Sequence, residues 1–402
     1  MTKKLQRNLK LYPWYAGLFH AYFWLPVYFL FFQSKLDLAD VLLLESVYFA
    51  SVVAMEVPSG WFSDMFGRKR TLIAASLFLC AAYILFLQAN SFNMFAIAQM
   101  LLAAGIAFNS GTDTSFLLET TQALGIQDEY GAREANATRF NFLGTAVAAV
   151  LGGLAAIPDF RGAYVLSFVG AVGLLAITIR FTEPLPANPS SKTPRVGFIK
   201  QIVSCVGLLR NIRLLWLSVF AVFMIVMNHI PYEFYQPFVK ELAREYEIMK
   251  ATPFLTSLHL ALTMVVAAWI ASKSIHIRDR IGTGATLISA AGLQLAMVAV
   301  MHFFVNIPAA IATLLRSCPR ALMTAPLNAA VAPNVPTSMR ATFLSLQSLF
   351  GRLGFASTLA FFAYAVGGDE WASITNMLQW GMWMGIVGLA ALIMTSPVVR
   401  GE

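Results

Sequence analysis

The chain has 402 residues, of which 58% are hydrophobic and only 12% are charged, and 32 are phenylalanine. Soluble chains carry about 25% charged residues. This composition therefore excludes an ordinary soluble enzyme, a disordered chain and a nucleic-acid-binding domain, despite the net charge of +8. Cys80, Cys205 and Cys318 lie far apart, in or beside apolar stretches, and offer neither a disulfide framework nor a metal site. The sequence predicts a polytopic membrane protein.

Twelve apolar stretches are long enough to cross a bilayer, which takes about 20 residues for ~30 Å of hydrocarbon. Continuous apolar runs, unlike the alternating pattern of membrane strands, indicate an all-α protein. The first run is too long for a signal-peptide core, so we expect it to remain as a helix. We number the predicted spans in chain order: 11–32, 41–62, 72–89, 94–118, 138–157, 162–181, 213–238, 253–274, 283–305, 307–331, 341–366 and 373–397.

Lysine and arginine are unevenly distributed between the connections, and these residues favour the cytoplasmic side of a membrane. If both termini are cytoplasmic, the inner segments hold 20 of them and the outer segments hold 5. We therefore expect a multi-pass protein of the cell (inner) membrane with cytoplasmic N and C termini. The positive inner surface predicts anionic lipids of the inner leaflet as partners.

A long connection divides the chain into an N-terminal six-helix half, 1–181, and a C-terminal six-helix half, 213–402. The first part of this linker, 182–212, is rich in proline and serine. Its second part places Phe198, Ile202, Val206 and Leu209 on one helical face, which predicts an amphipathic helix on the inner leaflet. An ordinary connector is the simpler interpretation of this helix, and a regulatory element is the alternative.

The connection between spans 2 and 3 carries a dense motif of glycine, aspartate and basic residues: Gly60, Asp64, Gly67, Arg68, Lys69 and Arg70. It resembles the signature loop of the major facilitator superfamily, G-x-x-x-D-x-x-G-R-K/R-x. A reduced copy, Asp279-Arg-Ile-Gly282, lies between spans 8 and 9. Its aspartate and glycine each lie 215 residues after their counterparts, which suits an internal repeat.

The resemblance implies the fold and the mode of action of that family. The expected fold has 12 transmembrane helices in two six-helix halves related by pseudo-twofold symmetry, which alternate between inward-facing and outward-facing states. In the family, the aspartate of the signature loop, here Asp64, faces the N-terminus of helix 11 and latches the outward-facing state. Spans 1, 4, 7 and 10 would line the substrate cavity. We expect a monomer that uses the proton gradient and no cofactor.

Span 5 contains a run of small residues: Gly144, Ala148, Ala149, Gly152 and Gly153. It resembles the antiporter motif of the exporters in the family, G-x-x-x-G-P-x-x-G-G, with Ala148-Ala149 in place of the central Gly-Pro. Small residues permit close helix packing. This feature favours export over uptake.

Charged residues inside a span are costly, by at least ~2.5–3.5 kcal/mol near its centre, and usually face the interior of the bundle. Glu56, Asp113 and Glu233 are the candidates for proton coupling. Arg316 and Arg320 are four residues apart, which predicts one shared face of span 10. Their partner is either a substrate anion or a structural carboxylate, Asp113 or Glu233, and both alternatives stay open.

Aromatic and polar residues of the cavity helices are typical of small-molecule sites. The candidates are His20, Trp24, Asn109, Asn228, His229 and Tyr232, together with Arg316 and Arg320. His259 and His302 are interpreted as packing residues.

Proton-coupled efflux is the leading functional hypothesis, and its substrate would be an amphipathic drug or an anionic or zwitterionic, siderophore-like metabolite. The alternatives are a proton-coupled importer and a transporter-like substrate sensor. The chain has no Gly-Lys dipeptide, which excludes a phosphate-binding loop of the Gly-Lys-Ser/Thr kind. No nucleophile elbow or His-Glu-x-x-His pair is present, so an enzyme is not expected.

Overall fold

A computed structural model describes residues 2–184 and 198–395, and every regular element within these ranges is helical. Spans 1 to 6 are formed by Thr2–Phe19 with Tyr28–Gln33, Leu38–Phe66, Arg68–Gln88, Phe92–Asn109 with Thr112–Ala123, Tyr130–Ala155 and Arg161–Arg180. Spans 7 to 12 are formed by Ile212–Glu245, Thr252–Ile281, Thr283–Phe303, Ile307–Ala312 with Thr313–Leu315 and Cys318–Val331, Thr337–Tyr364 and Glu370–Met394. The predicted helix of the linker is present as Phe198–Leu208, whereas the predicted linker residues 185–197 lie outside the described residues.

The chain forms two compact units. The N unit comprises the described residues of Met1–Lys192 together with Lys250–Leu258. The C unit comprises the described residues of Thr193–Met249 and His259–Glu402. Each unit is considered by itself below.

Nine helices of the described ranges are long and apolar enough to cross a membrane, and they correspond to spans 2 to 9 and span 12. Span 1 falls short because its longer helix, Thr2–Phe19, begins with polar and basic residues, and span 10 falls short because its helical pieces are short. Hydropathy alone detects the apolar length of a span but not an interruption within it.

Three of the predicted spans are interrupted. Span 1 leaves the helix at residue 20 and resumes at Tyr28, span 4 is interrupted at 110–111, and span 10 passes through a single 3₁₀ turn and a further turn before Cys318. Pro26, which lacks an N–H for a helical hydrogen bond, lies within the first interruption. At the second, Gly111 has φ +72°, a left-handed conformation that ends the helix Phe92–Asn109.

Aromatic side chains fill the core of the N unit where span 1 meets spans 3, 4 and 6. The ring centroids of Phe31 and Tyr164 lie 4.7 Å apart, and those of Phe86 and Tyr164 lie 5.0 Å apart. Such pairs add directional contacts to packing. Because lipid chains are as apolar as these side chains, close packing rather than escape from solvent holds such helices together.

The two interhelical connections that carry the motif and its copy have the same backbone geometry. Gly67 has φ +92° and ψ +162°, and Gly282 has φ +84° and ψ +160°. The carbonyl of Gly67 accepts a hydrogen bond from Thr71 Oγ1 at 2.8 Å, and the carbonyl of Gly282 accepts one from Thr286 Oγ1 at 2.8 Å. Since Thr71 and Thr286 are also 215 residues apart, the repeat extends into the following helix.

We predict that Gly67→Ala lowers the melting temperature of the purified protein more than Gly282→Ala does. Both glycines occupy a backbone region that costs other residues about 1–3 kcal/mol. A Cβ on Gly67 would also lie 2.7 Å from Glu183 Oε1, whereas one on Gly282 would meet no described residue within 4 Å. Thermal denaturation of the two variants in one detergent measures the difference. Equal melting temperatures for the two variants would contradict this account of Gly67.

Candidate functional site

The interruption of span 1 contains two predicted cavity residues, His20 and Trp24. His20 is half-buried, and its ring Nδ1 lies 3.0 Å from the carbonyl oxygen of Ala16. The backbone carbonyl of His20 accepts a hydrogen bond from Thr145 Oγ1 at 3.0 Å, which satisfies a peptide group at the end of the helix. The buried Trp24 donates from Nε1 to the hydroxyl of Tyr83 at 3.0 Å. Trp24 is thus held in place by span 3.

The interruption of span 4 brings together Asn109 and Asp113. Asn109 is buried at the end of the first segment, accepts a hydrogen bond from the hydroxyl of Tyr15 and donates to Asp113 Oδ2 at 3.3 Å. Asp113 lies in the first turn of the second segment and accepts from the backbone N–H of Thr114 at 2.7 Å. His20 exerts an electrostatic effect on Asp113. The N unit therefore unites the predicted residues His20, Asn109 and Asp113, and it adds Tyr15, which the sequence did not single out.

The interruption of span 10 contains the most buried cation among the candidates, Arg316, which is 2% exposed. Its Nη1 lies 2.8 Å from Nδ1 of His259 and donates to Thr263 Oγ1 at 2.5 Å. The guanidinium carbon lies 4.1 Å from the centre of the Tyr235 ring, a cation–π contact. Arg316 is thus oriented by spans 7 and 8, and not by its own helix alone.

These contacts determine the protonation state of His259. An arginine can only donate hydrogen bonds, so Nδ1 of His259 must be the acceptor. Nε2 then carries the proton and lies 3.1 Å from Thr313 Oγ1 and 3.2 Å from the carbonyl of Ala310. His259 is therefore neutral in this arrangement. The interpretation of His259 as a packing residue is wrong, because it contacts the cation of the candidate site directly.

Arg320 does not accompany Arg316. The shared face that we predicted requires a continuous α-helix, but residues 313–317 form a 3₁₀ turn and a further turn. Arg316 is consequently buried, while Arg320 is exposed. The charge of Arg320 acts instead on His229, a second predicted cavity residue.

Span 7 contributes the remaining candidates of the C unit. Glu233 is completely buried, and its charge, like that of Arg316, acts on Tyr235. Asn228 is half-buried, and its Nδ2 lies 3.9 Å from the sulfur of Met323. His229 Nδ1 lies 2.6 Å from the carbonyl of Ile225, and the ring of His229 contacts that of Tyr232 edge-on, with centroids 6.1 Å apart.

The signature loop forms a compact ionic network. Arg68 donates from Nη1 to Asp64 at 3.2 Å and from Nε to Glu119 Oε1 at 3.0 Å. Glu183, which follows span 6, accepts hydrogen bonds from the backbone N–H groups of Arg68 at 2.7 Å and Lys69 at 2.8 Å. Burial raises the pKa of the Glu183 carboxyl, and the two amides oppose that rise. Sequence reasoning missed Glu119 and Glu183 because only the fold brings them to the loop.

Two candidates of span 2 lie outside this network. A Cβ on Gly60 would meet nothing within 4 Å among the described residues. Glu56 is half-buried, and its Oε2 accepts no hydrogen bond from the residues that the structure describes. A different carboxylate of span 2, Glu45, is 5% exposed and accepts a hydrogen bond from Gln99 Nε2 at 2.8 Å.

The small residues of span 5 permit close backbone contacts. A Cβ on Gly144 would overlap the carbonyl of Gly17, and one on Gly152 would overlap the carbonyl of Phe23. A Cβ on Gly153 would overlap the side chain of Ser257. The contact with Phe23 lies within the interruption of span 1. Span 5 therefore supports the irregular segment of span 1.

Comparison with known proteins agrees with this architecture. The family model of the Major Facilitator Superfamily matches residues 14–359. The chain belongs to the major facilitator superfamily. It is a multi-pass membrane transporter with the fold of this superfamily and not an enzyme. The comparison with curated proteins gives no match.

Several solved transporter structures resemble the chain over nearly its whole length. The nucleoside transporter NupG has 12% identity and a TM-score of 0.77, with 98% of this chain and 99% of that chain covered. A D-xylose-proton symporter has 13% identity and a TM-score of 0.72, with 97% of each chain covered. The peptide transporter POT in complex with sulfate has 16% identity and a TM-score of 0.69, with 98% and 95% covered. At these identities the likeness shows the fold, and the substrate must be argued from this chain's own residues.

Proposed function

We propose that this superfamily member is a proton-coupled secondary transporter of a small anionic or zwitterionic metabolite. The observation that carries the proposal is Arg316, a cation with 2% exposure that lies in an interruption of a transmembrane span. Interrupted spans are typical of substrate and ion sites in secondary transporters. A guanidinium presents a planar set of donors that suits a carboxylate or phosphate.

The contacts of Arg316 fix the orientation of its guanidinium group. His259 and Thr263 engage Nη1, and the ring of Tyr235 covers one face, so the guanidinium is held in a defined orientation. Because Arg316 is buried in this conformation, an anion reaches it only when the turn 313–317 opens. Alternating access supplies such a change of conformation.

The effect of protonation on the charge around Arg316 favours symport, in which proton and substrate move in the same direction. A proton on Glu233 removes a negative charge that acts on Tyr235, whose ring contacts Arg316, and a proton on His259 adds a positive charge directly beside Arg316. Either event makes the surroundings of Arg316 more positive, which strengthens the binding of an anion. Proton and anion therefore bind cooperatively, so they move together and the transporter takes up its substrate with protons. One of the similar structures is a D-xylose-proton symporter, which is compatible with this direction.

Proton-driven export is the second candidate, and a different group of residues favours it. Asp113 and Glu56 are carboxylates in the N unit, where a cationic, amphipathic drug would compete with a proton for the same oxygen atoms. Competition of this kind yields antiport. The resemblance of span 5 to the exporter motif supports the same direction, although its glycines also serve the packing of span 5 on span 1.

We predict that Arg316→Ala abolishes proton-driven uptake of acidic solutes, whereas Arg320→Ala retains at least about half of it. The two arginines carry the same charge on one span, but only Arg316 is buried and oriented. The assay is uptake of a panel of labelled carboxylates and amino acids into proteoliposomes with an imposed pH gradient. Arg316→Lys should also fail, because lysine retains the charge but loses the planar fork.

Monodisperse Arg316→Ala protein that melts within a few degrees of the original chain separates loss of binding from loss of folding. Equal transport by Arg316→Ala and the original chain would contradict the anion site. Expulsion of cationic dyes that requires Asp113 but not Arg316 would establish export instead.

We also propose that the signature loop controls conformational exchange, with Asp64 as the latch of the outward-facing state. We predict that Asp64→Asn slows transport at least about ten-fold while substrate affinity, measured by calorimetry, changes less than about three-fold, because Asp64 acts on the equilibrium between states and does not contact substrate. Glu129→Gln is the control, since Glu129 also pairs with an arginine four residues away, Arg133. Normal transport by Asp64→Asn would refute the latch.

A further inference from the structure

A cavity of about 900 Å³ lies beside the signature loop, within the N unit. Four cations line it: Lys4 and Arg7 from the helix Thr2–Phe19, and Lys69 and Arg70 from the start of span 3. The motif accounts for Lys69 and Arg70, but the transport mechanism makes no use of Lys4 and Arg7. The first helix and the start of span 3, which are far apart in sequence, thus both contribute positive charge to this cavity.

The charge of this cavity is largely uncompensated by the protein. None of the four cationic side chains forms an ion pair with a residue in the described ranges 2–184 and 198–395. Glu183 is the carboxylate that lines the cavity, and its two oxygens accept hydrogen bonds from the backbone N–H groups of Arg68 and Lys69. The carboxylate of Glu183 therefore binds the N-terminus of the span 3 helix, Arg68–Gln88. The cavity suits an anionic ligand.

The walls of the cavity are apolar and exposed. Phe66 is 44% exposed and Ile179 is 56% exposed, and both lie at ends of transmembrane spans. A free phosphate ion gains nothing from such walls and is far smaller than the cavity. A phospholipid has a phosphate for the cations and acyl chains for the apolar side chains.

We propose that this cavity binds an anionic phospholipid, with the phosphate between Lys4 and Arg7 on one side and Lys69 and Arg70 on the other. Basic pockets at the membrane surface between transmembrane helices recognise such headgroups. The bound lipid links the first helix to the signature loop. Transport would then depend on the anionic lipid content of the membrane through a defined site and not only through the general surface charge.

The test is a titration of the purified full-length protein, in neutral detergent, with short-chain phosphatidylglycerol, followed by native mass spectrometry. Phosphatidylcholine and inorganic phosphate are titrated in parallel. We expect saturable binding of phosphatidylglycerol at a single site, and at least about ten-fold weaker binding of the other two compounds.

Variants of the first helix provide matched controls. Lys4→Ala/Arg7→Ala should weaken phosphatidylglycerol binding about ten-fold or more, whereas Lys3→Ala/Lys10→Ala removes the same charge from the same helix outside the cavity and should change it less than about two-fold. Lys4→Arg/Arg7→Lys, which preserves the charges, should retain binding and shows that the altered helix still folds.

Several results would overturn the proposal. Equal weakening by both alanine pairs would show general surface attraction. Equal binding of inorganic phosphate would identify the cavity as a site for a soluble anion. Equal binding of phosphatidylcholine would show that the lipid's negative charge is not recognised. Loss of binding in the charge-preserving variant would show that the positive charges of the four side chains are not sufficient to bind the lipid.

Discussion

A peptide group within the hydrocarbon of a membrane must find its hydrogen-bond partner inside the protein, and this constraint shapes the candidate sites. Spans 1, 4 and 10 each leave the helix, so each must satisfy the released groups elsewhere. In span 1, the carbonyl of His20 accepts a hydrogen bond from Thr145 of span 5. In span 10, the 3₁₀ turn supplies its own partner, because the N–H of Arg316 bonds to the carbonyl of Thr313. The polar candidates His20, Asn109 and Arg316 lie at or beside these interruptions.

The hydrogen bond between Arg316 and His259 links charge to conformation. A proton on Nδ1 of His259 would remove the acceptor and place two positive charges 2.8 Å apart. At an effective dielectric constant of about 20, this repulsion is about 6 kcal/mol. A proton on Nδ1 of His259 therefore requires that this contact be broken or that an anion offset the added charge. The same contact thus explains the neutral histidine and the expected cooperation between proton and substrate.

Local sequence was sufficient to predict the helical fold, because long apolar stretches indicate transmembrane helices. It was also sufficient to predict the signature loop and its copy, because each contains a glycine in a backbone conformation that other residues adopt less readily. The interruptions were not predictable from proline alone. Pro58, Pro231 and Pro237 lie inside continuous helices, whereas Pro26 lies in an interruption. The sequence around His259 also did not predict its contact with Arg316, because its partners come from spans 7 and 10 and meet only in the folded C unit.

The most direct test of the account is the sign of proton movement when an acidic substrate binds. Purified protein in weakly buffered detergent near neutral pH is mixed with a carboxylate identified by thermal stabilisation, and a pH indicator follows the solution. Cooperative binding at Arg316 predicts that the protein takes up protons, so the solution becomes more alkaline, and that Arg316→Ala abolishes this change. Release of protons on binding would contradict symport and would show that substrate and proton compete for one site.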